Sequence, residues 1–327
     1  MNRQTLIIGH TKGLAPQDVA EKIEFAGRTC YKSADKITPG SADRFVKMVM
    51  KRGHESVIEH SWFVFKLVNS NQAWFTQVLL DILLANKMFS LTRSDDELYY
   101  LLSGNARMFR DYTRKAGHIS GTGLAMLREL VLAYPVLFQD LEGINLENTG
   151  HPGVILNPNH DYSLEEKKKH WWAMVRFIGG SRAFTHQLVR HRPTGISQES
   201  QRYCDESGIA QTGYYVTPPS IIEAGMQDFY NEQIGNLDAA YQKLKACPGV
   251  KAEDARFLLP NACCSEIVMS ANLEEWRWIL HMRCDIHAQW EIREHAMDLL
   301  HQFKELFPGV FDDFIEAQDG KSAKLAA

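Results

Sequence analysis

The sequence predicts an α+β fold: a mixed sheet flanked by helices, with a helical insertion. Strand-like runs and helical periods follow one another without the regular alternation that builds a doubly wound parallel sheet. At 327 residues and 45% hydrophobic composition the chain can bury a sizeable core, in one large domain or two. The character of the chain changes over residues 69–172, where helical periods end in the stretch HPGVILNPNHDYS, rich in Asn, Pro and His.

Taken in order, residues 5–8 form a short β-branched run, a strand. Pro16 ahead of apolar Val19, Ile23 and Ala26 predicts a helix over 16–27. A second helix starts at Ser41, with Phe45, Met48 and Val49 at helical spacing and Gly53 as its stop. Residues 62–67 alternate between two mostly apolar faces, which predicts a strand in a covered sheet. Inside 69–172 the periods predict helices over 74–89, 95–115 and 124–138. Residues 174–178 return as a strand, and Gly179-Gly180 lead into a helix that Ser181 caps and Pro193 ends, placing His191 and Arg192 in its last turn. A loop over 208–220 gives way to an amphipathic helix carrying Phe229, Ile234, Leu237, Tyr241 and Leu244. A short helix over 252–258, a strand over 265–271, and helices over 274–282 and 287–307 complete the pattern. The division is therefore 1–68 with 173–318 as one domain, 69–172 inserted, and 319–327 as a disordered or vector-derived tail.

Thirty-six Lys and Arg against 40 Asp and Glu give a net charge of −4, so no overall positive field points to a nucleic-acid polymer. Local basic clusters are left to serve small anions. The apolar run in MNRQTLIIGH is too short for a signal peptide, and Asp81 breaks the most hydrophobic stretch, so no membrane segment is expected. Six cysteines without a CxxC pair read as free thiols in a reducing cytoplasm.

The stretch SRAFTHQLVRHRPTGISQESQRY, residues 181–203, organises the rest. Gln187, Arg190 and His191 share one helical face. With Arg192, Ser197, Gln198, Ser200 and Arg202 they offer planar forks for phosphate, amides for a base edge, and hydroxyls. Cations at a helix C-terminus can simply complement its dipole; the polar continuation over 197–202 favours a nucleotide site. His54-Glu55 and Glu59-His60 do not make a zinc motif, because HExxH requires a histidine at position 58, which is Ile58, and HxxEH requires one at position 56, which is Ser56. His160-Asp161 reads as a turn. No metal site is expected. Neither GxGxxG nor GxxxxGK[ST] occurs, so a nucleotide must be held in some other way.

Arg190-His191-Arg192 followed after seven residues by Ser200, then Gln201-Arg202-Tyr203, resembles the signature of the flavin-dependent thymidylate synthases. GHESVIEHSWFVF (53–65) is similar to that family's first block, and ARFLLPN (255–261) with SANLEEWRWILHMRCDIHAQWEIRE (270–294) to its last. The resemblance covers roughly 1–68 and 173–318, and the segment between resembles the insertion of longer members. It implies that family's fold and reductive methylation of dUMP to dTMP with methylenetetrahydrofolate, FAD and NADPH. It also implies a homotetramer with FAD lying between subunits. Carried over, FAD falls to Ser56, Arg190, His191, Arg192, Gln198 and Asn272. Substrate dUMP falls to Gln187, Arg190, Gln198, Glu199, Ser200, Gln201, Arg202, Arg256 and Arg283. Arg283 would be catalytic, stabilising charge at the uracil edge, while Arg202 and Arg256 clamp the phosphate; Ser200 would hydrogen-bond the nucleotide rather than act as nucleophile. For Arg256 and Arg283 the alternative is a structural ion pair. Two positions depart from the pattern: Gly195 stands where Ser is common, and Trp278 where His or Asn is common. A related pyrimidine-nucleotide C5 modifier, such as a hydroxymethylase, and a non-catalytic nucleotide-binding protein are the other readings.

Overall fold

The computed structural model describes residues 3–10, 16–68, 88–115, 121–141 and 153–326, with the single residues 82, 86, 119 and 146. The expected mixed sheet resolves into two four-stranded sheets, and every pairing in them is antiparallel. The strands are β1 (Gln4–His10), β2 (Phe63–Val68), β3 (Ser90–Arg93), β4 (Tyr99–Gly104), β5 (Val154–Leu156), β6 (Trp172–Ser181), β7 (Gly195–Gln198) and β8 (Cys264–Asn272). Order in the first sheet is β1-β6-β8-β7, and in the second β3-β4-β2-β5. The longer helices are α1 (Pro16–Thr29), α2 (Ser41–Lys51), α3 (Ala106–Lys115), α4 (Gly121–Ala133), α5 (Leu164–His170), α6 (Arg182–Leu188), α7 (Gln227–Lys245), α8 (Leu273–Arg283) and α9 (Trp290–Leu306). No helix among the described residues is long and apolar enough to cross a membrane.

Period-two alternation decides which core each side chain enters. Ala173, Val175 and Phe177 of β6, with Ile267, Met269 and Ala271 of β8, pack under Trp276, Leu280, Leu300 and Phe303 of α8 and α9. From the other face, Trp172, Met174 and Val268 enter the core built by Val19 and Ile23 of α1, Phe45 and Val49 of α2, and Phe63 and Phe65 of β2. Each fully buried large side chain contributes about 1.5–3 kcal/mol, so the paired faces of β6 and β8 make this sheet the rigid centre. Two buried histidines join the sheets. His60 Nε2 lies 3.0 Å from Ser197 Oγ, and its Nδ1 3.0 Å from Ser270 Oγ. His170 Nε2 and Nδ1 lie 2.8 Å from Thr92 Oγ1 and Ser103 Oγ.

The segment 69–172 is not wholly helical. It supplies β3, β4 and β5, and β2 pairs with β4 from Phe63↔Gly104 to Val68↔Tyr99. The run over 99–104 is apolar on consecutive positions, a pattern that suits a buried strand as well as a helix, and pairing with β2 decides it. The helix expected over 95–115 is thus shortened to α3. That over 124–138 appears as α4 and a separate turn Pro135–Phe138, and that over 74–89 falls largely outside the described residues. Nor is the tail disordered: Ala323–Leu325 pairs antiparallel with Phe314–Glu316, Ala323 is buried, and its N–H donates to Cys284 O at 2.9 Å. This two-stranded ribbon closes over the end of α8.

Candidate functional site

Ser181 caps α6 as its sequence predicts, accepting from Phe184 N at 3.0 Å, and its own Oγ donates to the buried carboxylate of Glu291 at 2.6 Å. The helix, however, stops at Leu188. Because Pro193 disfavours helical backbone ahead of it, Arg190, His191 and Arg192 lie in the turn that follows, with His191 buried and both arginines exposed. The turn feeds β7, which runs against the 3-10 turn Glu55–Glu59. Gly195 is required there: a Cβ would stand 2.8 Å from Ser270 Oγ and 3.1 Å from the Glu59 backbone. That close approach accounts for the departure from the family pattern.

Arg283, at the end of α8, reaches into the same turn. Its Nε donates to His191 Nε2 at 3.0 Å and its Nη2 to Gln187 O at 3.1 Å. A histidine that accepts at Nε2 carries its proton on Nδ1, and that nitrogen lies 3.7 Å from Glu275 Oε1. Burial and neighbouring Arg190 both push the Arg283 pKa downward. Among the described residues no carboxylate is within ion-pair distance of Arg190, Arg192, Arg256 or Arg283. The structural ion pair weighed for Arg256 and Arg283 is therefore absent among the described residues, and exposed Arg190 with half-buried Arg283 forms a concentration of positive charge suited to an anion.

Arg202 and Arg256 converge on Glu253. Arg202 Nε pairs with Glu253 Oε2 at 2.6 Å, and Arg256 Nε donates to Glu253 O at 3.1 Å. The Arg202 pair is largely exposed, so its exchange for a phosphate costs little. Ser200 Oγ accepts from Arg202 N at 3.3 Å, and the Ser200 N–H donates to Cys30 O at 3.1 Å. Gln201 Nε2 is buried with no partner. Gln198 is turned between α6 and β8, donating to Thr185 Oγ1 at 2.8 Å and Ser265 Oγ at 3.2 Å.

Three site residues expected from the resemblance are placed differently. Asn272 spends its side chain as the α8 cap, accepting from Glu275 N at 2.9 Å and donating to Ser90 Oγ and Lys169 O. Ser56 lies exposed on the Glu55–Glu59 turn, with no hydrogen bond to the other site residues. Glu199 is buried, its Oε1 2.5 Å from Lys32 Nζ and its Oε2 accepting from Tyr214 Oη at 2.7 Å and Glu266 N at 3.0 Å. Its side chain thus supports the loop from beneath. Glu206 joins this cluster 3.5 Å from Lys32 Nζ, and burial, reinforced by Glu199, pushes its pKa up to about 8. Glu206 therefore favours its protonated form at neutral pH. Lys32, at φ 46 in the left-handed region, Glu206, Tyr214 and Glu275 escaped the sequence reading because each acts through a distant partner. Lys32 alone leaves a trace, in the turn-prone run after α1.

A family model described as thymidylate synthase complementing protein matches residues 10–80 and 166–309. The flavin-dependent thymidylate synthase of Nitratidesulfovibrio vulgaris is 40% identical over 141 residues, 41% of this chain and 56% of that protein. That of Geobacter sulfurreducens is 34% identical over 195 residues, 59% and 76% respectively. The chain thus spans about half of the first relative and three quarters of the second. A crystal structure of Helicobacter pylori thymidylate synthase X with FAD and dUMP aligns at TM-score 0.37 and 18% identity, over 44% of this chain and 75% of that one.

Proposed function

The chain belongs to the thymidylate synthase complementing protein family, and from that premise we propose that it is a flavin-dependent thymidylate synthase, converting dUMP to dTMP. The observation that carries this reading is the set of guanidinium groups at the 190–192 turn, which have no carboxylate to balance them among the described residues. In the proposed reaction the methylene of methylenetetrahydrofolate passes to C5 of dUMP, a hydride equivalent completes the methyl group, and NADPH is the ultimate reductant. FAD, when bound, supplies the redox step that connects them.

The protein's own part is positioning and charge. Arg283, fixed by His191 and Gln187 O, meets the uracil edge and stabilises negative charge there, which raises electron density at C5. With its proton on Nδ1, the nitrogen nearer the Glu275 carboxylate, the His191 ring presents Nε2 as an acceptor to Arg283 and keeps its fork aimed. Arg202 and Arg256 close on the phosphate, which takes the place of Glu253 at Arg202. Ser200 has no base beside it and serves as a hydrogen-bond partner, not a nucleophile. Exposed Arg190 and Arg192 fit the phosphates of a flavin nucleotide; the Asn272 amide, already engaged in its cap, does not.

The same reading includes a homotetramer with shared sites. Phe257, beside Arg256, is 84% exposed, and Trp278, Met282 and Ile286 form an exposed apolar row along and just beyond α8, a surface suited to burial by another copy. Light scattering should give a tetramer; a monomer with full FAD content and activity would remove this part. For the activity, purified protein should oxidise NADPH only when dUMP and methylenetetrahydrofolate are both present, with a product of the mass of dTMP. A hydroxymethylated product, or FAD binding without turnover, would overturn the assignment.

A further inference from the structure

A cleft of about 480 Å³ opens between the 190–194 turn and the inserted segment, lined by Glu59, Arg192, Pro193 and Thr194 on one side and by Asn105, Arg107, Asp111 and Lys115 among others on the opposite side. The second wall is α3, which lies outside the family match. This helix is clipped to the Glu55–Glu59 turn. Ser61 Oγ accepts from its Ala106 N at 2.9 Å, Arg114 forms a two-pronged pair with Glu55 at 2.5 and 2.6 Å, and Arg107 Nη1 donates to Glu59 Oε1 at 2.5 Å. Arg107 therefore spends one nitrogen on Glu59 and keeps the rest of a partly exposed fork for the cleft. Facing it across the cleft is Arg192, which has no carboxylate partner among the described residues. Two forks on opposite walls, one wholly uncommitted and one half-committed, suit a group with acceptors on both sides; a diphosphate is such a group.

We propose that the inserted segment is part of the cofactor site: Arg107, with Arg192, holds the diphosphate of a dinucleotide, and that dinucleotide is FAD. This rests on the functional reading above, which assigns FAD to the Arg192 turn. Glu59 keeps Arg107 extended toward the cleft before the ligand arrives, so less side-chain freedom is lost on binding. The two carboxylates that line the cleft are each already paired with a cation, Glu59 with Arg107 and Asp111 with Arg114 and Lys115, and neither is paired with Arg192.

The test compares wild type, Arg107→Ala and Arg107→Lys by flavin fluorescence for FAD and by calorimetry for NADP+ and dUMP, with melting temperature as the control for folding. Arg107→Ala should weaken FAD binding about tenfold to a hundredfold, the loss of one charge-assisted contact, and leave dUMP unchanged. Arg107→Lys keeps the charge and the pairing with Glu59, so it folds even if the alanine variant does not. It should still bind FAD more weakly than wild type, because one ammonium cannot serve two acceptors on opposite sides. Unchanged FAD affinity in folded variants overturns the proposal, and so does a loss confined to NADP+. A wild-type protein that binds no FAD overturns the functional reading and this proposal together; one that binds FAD normally while the variants do too overturns only this proposal.

Discussion

His60 stands just ahead of β2, in the second sheet, yet its ring bonds Ser197 of β7 and Ser270 of β8 in the first. His170 stands just ahead of β6, in the first sheet, and bonds Thr92 of β3 and Ser103 of β4 in the second. Each is a neutral ring: burial pushes both pKa values down to about 3, and a neutral imidazole has one donor and one acceptor, matched here to two hydroxyls. The two clasps differ in what they hold. The first fastens β7, whose last residue is Gln198, and every residue in it falls within the family match. The second fastens family backbone to strands that lie outside that match. The inserted segment is thus not appended to the sheet that carries the site. It is hydrogen-bonded into the fold through β2 and His170, and α3 is brought to the 192–194 turn as a consequence.

The sharpest separation of the two regions comes from Arg283, which belongs wholly to the first. Arg283→Ala should lower kcat/KM for dUMP by about 10²–10³, as expected for a donor aimed at developing charge, with FAD binding retained. Arg283→Lys should recover little, since His191 Nε2 and Gln187 O are met by a planar fork. A variant that melts earlier but turns over dUMP normally per folded site would return this arginine to a structural role.

His60→Ala and His170→Ala test the clasps directly. His60→Ala strands two buried hydroxyls and His170→Ala one buried and one half-buried, and each opens a cavity, so each should destabilise by about 2–5 kcal/mol in denaturant melts. The kinetic outcomes should diverge. His60→Ala should also lower turnover per folded site, because Ser197 adjoins Gln198, whereas His170→Ala should leave it near the wild-type value. Equal losses of turnover would mean that the second sheet positions the site as much as the first does.

A smaller effect appears on titration. His60 and His170, with pKa values near 3, and His295, near 4, sit below the ordinary 6.5, so the unfolded chain binds more protons and stability is lost as pH falls below about 6.5. Glu206 works in the opposite sense. Its pKa is raised from 4.5 to about 8, so its contribution is complete below 4.5 and is lost as pH rises through 8. Three histidines outweigh one glutamate between 4.5 and 6.5, which puts the maximum of these four contributions close to pH 6.5. Melting temperature should therefore decline from pH 6.5 to 8.5, and Glu206→Gln, which imitates the protonated acid, should flatten that decline. A wild-type profile that is already flat there would remove Glu206 from the account.

Local signals were legible in the sequence. Ser181 caps α6, Gly53 follows α2 at φ 71, and Pro193 disfavours helical backbone at Arg192, though the helix ends three residues sooner than the proline alone requires. Long-range pairing was not legible. Residues 99–104 became a strand because β2 was available, and residues 323–325 became one because β9 (Phe314–Glu316) was. The site divides along the same line. Gln187, His191 and Arg283 were named from one motif and one block, and the structure brings them together. Glu199 was named with them, but Lys32 and Tyr214 draw its carboxylate inward, and no local pattern announces either partner.

The smallest expected effect is that of the cysteines, and it tests whether positioning alone accounts for the site. Burial pushes the thiols of Cys204, Cys263, Cys264 and Cys284 up to about 11–12 and raises that of Cys30, so these five keep their protons at neutral pH and are poor nucleophiles. Cys30 holds Ser200 through its backbone carbonyl, a contact that alanine preserves. Cys204 Sγ donates only weakly to that carbonyl, at 3.6 Å. Exposed Cys247 lies beyond α7, and its thiol donates to the carbonyl of its neighbour Pro248 at 3.9 Å. Replacing each of the six by alanine in turn should leave dUMP-dependent turnover within about an order of magnitude, or about 1.4 kcal/mol. A single replacement that abolishes turnover while the melting temperature and FAD content hold would show that a thiol takes part in the chemistry, and Arg283 would then share its role with a nucleophile.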